Sequence, residues 1–250
     1  MASSKKNRTG KNKLRIILPV ILFLAAAAFF LYTGIYYRAD PSSAQALVSN
    51  EAAAVTETGF GWFFDGPGTE DALVFYPGGK VEETAYAPFL RLLAEGGLDV
   101  FLVRMPFRLA VFNANGADGV LSSYDYDRWY VGGHSLGGAM AAIYASRHEN
   151  VAGVILCAAY PTKPLAGDIL EVTVYGSEDG IVNRSRLIEG RKYSSGNSVE
   201  EEIPGGNHAQ FGNYGVQSGD GKAAISAEQQ QEQAAEIILR SILPSDADSP

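Results

Sequence analysis

Gly133-His134-Ser135-Leu136-Gly137 follows the apolar run Trp129-Tyr130-Val131 and precedes an alanine-rich stretch. The pattern is G-x-S-x-G. On a sharp turn between a strand and a helix, a serine holds its hydroxyl clear of the backbone, and glycines flank it because a Cβ would collide in so tight a turn. The reading predicts a strand through Trp129–Val131, the serine at the turn, and a helix from Leu136 to His148.

Outward from this turn the chain alternates. Apolar, β-branched or aromatic runs at residues 61–64, 72–76, 99–103, 151–156, 170–175 and 198–203 read as strands. Helical spacing appears over 86–95, closed by Gly96-Gly97, and over 224–243, with a further helix expected within 109–124. Short apolar strands alternating with helices call for a mostly parallel sheet covered on both faces. The expected class is therefore α/β, in one domain of residues 55–250.

A serine hydroxyl is a weak nucleophile until a base takes its proton, and the base needs a carboxylate to orient it. The chain has three histidines. His134 lies inside the turn, with its ring expected to point away from Ser135. His148 ends the following helix beside Arg147 and Glu149, where a solvated cap is expected. His208 remains, in the glycine-rich stretch Pro204-Gly205-Gly206-Asn207-His208 after a strand, where a mobile, solvent-facing base can sit. The acid is expected in Ser177-Glu178-Asp179-Gly180, directly after strand 170–175, with Asp179 preferred and Glu178 in reserve. Asp168 precedes that strand and falls at the wrong sheet edge. The order is serine, acid, histidine.

Negative charge developing on a substrate oxygen needs preorganised donors. The N–H of Leu136, at a helix start, is one. The second is expected from Pro77-Gly78-Gly79-Lys80 after strand 72–76, with Gly79 first and Lys80 next. Phe107, Phe112 and Asn113, after strand 99–103, either line the site or, for the phenylalanines, pack in the core; Lys80 is a further substrate-binding candidate.

Residues 1–37 carry six basic side chains and no acidic one. The remainder carries 14 basic against 28 acidic side chains, a net of −14. So acidic a body is repelled by phosphate backbones, which argues against nucleic-acid binding and against broad attraction to anionic membranes. The lone Cys157 forms no internal disulfide, and no Cys-x-x-Cys or His/Cys cluster marks a metal site. Residues 16–37 form a 22-residue apolar stretch, about 33 Å of helix, enough to span a bilayer. The basic cluster before it, residues 1–15, places the amino terminus in the cytoplasm and the body outside the membrane. A cleaved secretory signal is the competing reading: Ala44-Gln45-Ala46 has the form of a cleavage site, but stands far beyond the apolar run. Residues 38–54 read as a linker.

Tyr76-Pro77-Gly78-Gly79-Lys80-Val81, Met105-Pro106, Leu109-Ala110-Val111-Phe112, Gly132-Gly133-His134-Ser135-Leu136-Gly137-Gly138 and Gly205-Gly206-Asn207-His208 together resemble the small bacterial serine hydrolases of the α/β-hydrolase superfamily. The chain is similar in size to the dienelactone hydrolase-like branch, with serine where those enzymes carry cysteine. The resemblance covers roughly residues 55–243. It implies the α/β-hydrolase fold, a Ser135–Asp179–His208 triad, hydrolysis of a small-molecule or lipid acyl ester, and no cofactor. Only Tyr160 to Ile169 separate strands 151–156 and 170–175, too few residues for the cap domain usually inserted there, so a lidless, open site is expected. A non-catalytic binding protein on the same fold and an acyltransferase using the same triad are the competing functions.

Overall fold

A computed structural model describes residues 6–165 and 167–243. Lys5, part of the basic cluster, and the tail from Pro244 onward, including 245–250 where fraying is expected, lie outside them. The chain divides into two compact units, with the boundary between Tyr36 and Tyr37.

The first unit is one helix, α1 (Lys6–Gly34), interrupted in sequence by Pro19. Its segment Ile17–Gly34 is long and apolar enough to cross a membrane. The expected span of 16–37 is shortened at its end: the helix stops at Gly34, and Tyr37 has a different role, described below.

The second unit is an eight-stranded sheet in the order β1-β2-β4-β3-β5-β6-β7-β8. Its strands are β1 (Ala54–Glu57), β2 (Gly61–Asp65), β3 (Asp71–Tyr76), β4 (Asp99–Val103), β5 (Arg128–His134), β6 (Gly153–Cys157), β7 (Leu170–Gly176) and β8 (Asn197–Ile203). β1 and β2 pair antiparallel at one edge, and every pairing from β4 to β8 is parallel. Helices α2 (Ala87–Glu95), α3 (Ala117–Leu121), α4 (Leu136–Ala145), α5 (Arg184–Gly190) and α6 (Ala227–Ile242) complete the fold.

The wholly buried strand β3 shows why its apolar run does not alternate with polar residues. Leu73 and Phe75 enter a core shared with α2 and α6, while Ala72, Val74 and Tyr76 enter a second core shared with α4 on the opposite face. Successive side chains point to opposite faces, and both faces here are dry. This is the sheet that the sequence resemblance implies.

Several segments differ from the sequence reading, among them β1, which it does not predict, and α4, which stops at Ala145 rather than His148. Residues 38–54 are no free linker: a 3₁₀ turn (Pro41–Leu47) is capped by Asp40, whose carboxylate accepts from Ser42 N, and buries Ser43. Arg91 of α2 donates to the carbonyls of Gln45, Ala46 and Val48, tying this segment down. The helix expected within 109–124 contracts to α3, and α5 was not foreseen. Residues 158–165 and 167–169, between β6 and β7, contain neither helix nor strand.

Candidate active site

β5 pairs in parallel with β3, Gly133 opposite Tyr76. The loop after β3 therefore passes beside the turn after β5. At that turn Ser135 has φ 54 and ψ −119, a left-handed conformation that a side chain rarely adopts. Ser135 N donates to Cys157 O at the end of β6, fixing the turn from below. A Cβ on Gly137 would collide with the carbonyls of Tyr76 and Pro77, so only glycine lets α4 start this close to β3. Ser135 itself is half-buried.

Gly78-Gly79 faces the same turn. A Cβ on Gly79 would stand 2.9 Å from Leu136 Cδ2 and 3.4 Å from its Cβ, so the backbones of residues 79 and 136 approach closely. Leu136 is the first residue of α4, where an N–H has no partner within the helix. A Cβ on Gly78 would lie 2.6 Å from Tyr86 Oη and 2.7 Å from His134 Nδ1. Gly78 N donates to Tyr86 Oη at 3.0 Å, and Tyr86 Oη lies 2.8 Å from His134 Nδ1.

Asp179 and His208 come from strands farther across the sheet, beyond β6. Asp179 follows β7 and His208 follows β8, neighbouring strands in the sheet. His208 Nδ1 lies 2.8 Å from Asp179 Oδ2, with both side chains almost wholly buried, so His208 does not face solvent as the glycine-rich stretch suggests. Asp179 Oδ1 accepts from Ile181 N and Val182 N at 2.8 and 2.7 Å, so this carboxylate is held by three donors when Nδ1 carries the proton. Glu178 is exposed and bonded to the Ser177 hydroxyl, and Asp168 is exposed in the loop before β7. His208 Nε2 is buried and has no hydrogen-bond partner among the described residues, Ser135 included.

Tyr86, Asp220, Gln230 and Gln231, none singled out from the sequence, hold these loops. One Asp220 oxygen accepts from Gly180 N and His208 N, at 3.1 and 3.2 Å, and the other from Ala209 N at 2.9 Å, bridging the loops after β7 and β8. Gln230, buried on α6, clamps Asn207 from both sides: its Oε1 accepts from Asn207 N and its Nε2 donates to Asn207 O. Gln231 Nε2 donates to Gln210 O. No spacing rule in the sequence links these residues to His208; the fold alone brings them there.

His134 does more than point away from the serine. Its ring is buried with centroid 4.5 Å from that of His208. Burial, and next the charge that His208 can carry, hold its pKa well below the usual histidine value, so the ring stays neutral. Burial pushes the Tyr86 phenol up, so it keeps its proton. That proton, with Gly78 N–H already donated to Oη, is assigned to a bond toward His134 Nδ1. His148 caps the last turn of α4, with its Nδ1 at Tyr144 O, and its partly exposed ring stacks on Tyr144 at 3.8 Å.

The substrate-binding candidates also find places. Phe107 and Phe112 are 43% and 52% exposed, edge-to-face at 5.7 Å, which rules out core packing for both. Lys80 is half-buried with φ 60, and its N donates to Arg108 O at 2.8 Å. Burial raises the pKa of the Cys157 thiol, leaving it a packing residue. Among the described residues no group of His, Cys, Asp or Glu is arranged to hold a metal ion.

No curated protein matches the chain. Its fold is similar to that of TT1662 from Thermus thermophilus, at 13% identity and TM-score 0.53, covering 77% of this chain and 99% of that one. Est1E from Butyrivibrio proteoclasticus is similar at 16% identity and TM-score 0.52, with 77% and 99% covered. A ferulic acid esterase from Streptomyces cinnamoneus matches at 17% identity and TM-score 0.56, covering 74% and 72%. At these identities the likeness is one of fold. The family model described as alpha/beta hydrolase family matches residues 72–232, which contain the serine turn, the glycine loop and the Asp179–His208 pair, and the chain belongs to that family.

Proposed function

We propose that this protein is a membrane-anchored serine hydrolase that cleaves an acyl ester through Ser135, His208 and Asp179. The observation that carries the reading is the combination of a serine at φ 54 on the strand-to-helix turn with a buried imidazole–carboxylate pair at 2.8 Å. His208 Nε2, buried and unpaired, is the nitrogen that takes the Ser135 proton as the hydroxyl attacks the carbonyl. Asp179 fixes the His208 tautomer and stabilises the imidazolium that forms. The N–H groups of Leu136 and Gly79 receive the oxyanion, each worth on the order of 3 kcal/mol. His208 then returns the proton to the leaving alcohol, and water, activated by the same imidazole, releases the acyl group. Ester chemistry accords with a fold that also carries a ferulic acid esterase. The basic residues before Ile17–Gly34 support an orientation with the catalytic unit outside the cytoplasm.

Labelling by a serine-directed fluorophosphonate is the test. The wild type is expected to label and Ser135→Ala to be silent. Equal resistance of the two proteins to the reagent would defeat the proposal.

A further inference from the structure

Tyr37, the first residue of the second unit, does not lead into a free tether. Its N donates to Lys80 O at 2.8 Å and its O accepts from Glu82 N at 2.9 Å, making a parallel bridge with Val81. Its ring packs on Tyr214 at 5.6 Å, and its hydroxyl accepts from Ser218 N at 3.2 Å. The chain thus enters the body on the Gly78–Lys80 loop and on the segment that follows His208. Both are on the rim of the site.

Gly34, where the apolar helix ends, is only three residues upstream. Three extended residues reach roughly 10 Å, comparable to one headgroup layer of roughly 5–7 Å. Chain length alone keeps Tyr37 within roughly 10 Å of the end of that span.

The rim is also where apolar side chains face solvent. Among the described residues from Tyr37 onward, seven large hydrophobics are exposed: Val48, Phe107, Val111, Phe112, Ile181, Ile188 and Val216. Five of them lie in the loops that frame the site. Phe107, Val111 and Phe112 follow β4, joined to Lys80 through the bond from Lys80 N to Arg108 O. Ile181 follows Asp179, and its Cδ1 lies near Gly219, close in sequence to Val216, which is 92% exposed beside the Tyr37 contacts. Phe107 has φ 55, an outlier for so bulky a residue, in a segment held by Arg108 N to Met105 O and Leu109 N to Pro106 O. Strain of this kind persists where a side chain is presented for use.

We propose that this rim sits in the headgroup layer of the bilayer that anchors the chain, and that the site draws its acyl ester from that leaflet, an amphiphile whose acyl chain remains in the membrane. The inference rests on the anchored serine hydrolase reading above. The contact is apolar rather than electrostatic, because the body carries a net charge of −14 outside residues 1–37.

The full chain carrying Val216→Cys is labelled with an environment-sensitive fluorophore and reconstituted in phosphatidylcholine vesicles; native Cys157 is wholly buried and does not compete. A nitroxide on the lipid headgroup is expected to quench this probe several-fold more than one at Glu149→Cys, exposed in the turn before β6 at the opposite end of the parallel strands. The difference persists at about 1 M salt, where the Debye length is about 3 Å. In the same vesicles Val111→Asp with Val216→Asp is expected to lower turnover of a bilayer-resident long-chain ester roughly tenfold, since charges enter the interface poorly, and to leave a soluble acetyl ester unchanged. Equal quenching at positions 216 and 149, or equal loss on both esters, overturns the inference while leaving the hydrolase intact. Failure of the chain to float with vesicles removes the anchor and the inference together. A wild type inert toward both esters refutes the hydrolase, and with it the substrate source.

Discussion

Ser135 shares its positive φ with four other non-glycine residues among those described, and three of them, Lys80, Phe107 and Arg108, belong to the loops beside it. Unfavourable backbone geometry is thus gathered at one edge of the sheet, where the surrounding hydrogen bonds over-determine it. Tyr86 shows how such a loop is held. Its hydroxyl is the acceptor for Gly78 N–H, and its proton goes to a histidine that is kept neutral by burial. Tyr86→Phe leaves that amide unpaired in a buried place, which costs about 1–3 kcal/mol, and loosens the donor at Gly79. The expected result is a urea midpoint shifted down and a kcat lowered roughly tenfold or more with KM little changed. Asp179→Asn separates chemistry from folding more sharply. The amide can still bond Ile181 N and Val182 N, but it favours the wrong tautomer of His208, so kcat on a soluble ester should fall on the order of 10⁴-fold while the folded protein persists. A variant retaining most of its activity would show that this carboxylate does not orient the base.

The start of α4 depends on a backbone contact that tolerates no side chain. Gly137→Ala would drive a methyl into the carbonyls of Tyr76 and Pro77, and Tyr76 cannot retreat because β3 is buried on both faces. A loss of about 2–3 kcal/mol is expected, measurable by urea denaturation, with activity falling because Leu136 moves away from Gly79. That the chain would build a strand, a serine turn and a helix here was legible because local rules act together: an apolar run, two glycines and an alanine-rich continuation. Elimination among three histidines points to His208, and a place directly after a strand points to Asp179; the folded chain brings these two together at 2.8 Å. Other elements were hidden for physical reasons. Arg184–Gly190 has only Leu187 and Gly190 buried, too few for an apolar period to show, although Asn183 caps it through Arg186 N. The helix expected in 109–124 is confined to Ala117–Leu121, after residues 106–112 spend their length on two 3₁₀ turns. Asp220 and Gln230 are polar residues in unremarkable sequence surroundings, and the loop amides they hold are 11 to 40 residues away, so only the folded chain gives them a role.

Across the whole molecule, two effects of lowering pH oppose each other. The body's net charge of −14 outside residues 1–37 repels itself, and protonating carboxylates relieves this, which favours the compact state as pH falls. His134 acts the other way. Its folded pKa lies well below the usual histidine value of 6.5 because it is buried beside His208, so below pH 6.5 the unfolded chain binds a proton that the folded one refuses. Stability is therefore full above the unfolded pKa and declines as pH falls from 6.5 toward the folded value, by at most about 1.4 kcal/mol per pH unit. Carboxylates held low by arginine, Glu95 by Arg91 and Glu200 by Arg191, add losses only nearer their ordinary value of 4.5 and below. Between pH 6.5 and 5 the loss at His134 outweighs the partial relief of surface repulsion, which salt already screens. Urea denaturation at pH 7.5, 6.5 and 5.5 is expected to give a midpoint that drops with acidity in the wild type. In His134→Asn the same series should start lower, because Tyr86 loses its partner, but run flatter. Parallel slopes in the two proteins would mean that His134 is not the group refusing the proton, and that the network from Gly78 through Tyr86 does not depend on a neutral ring at its end.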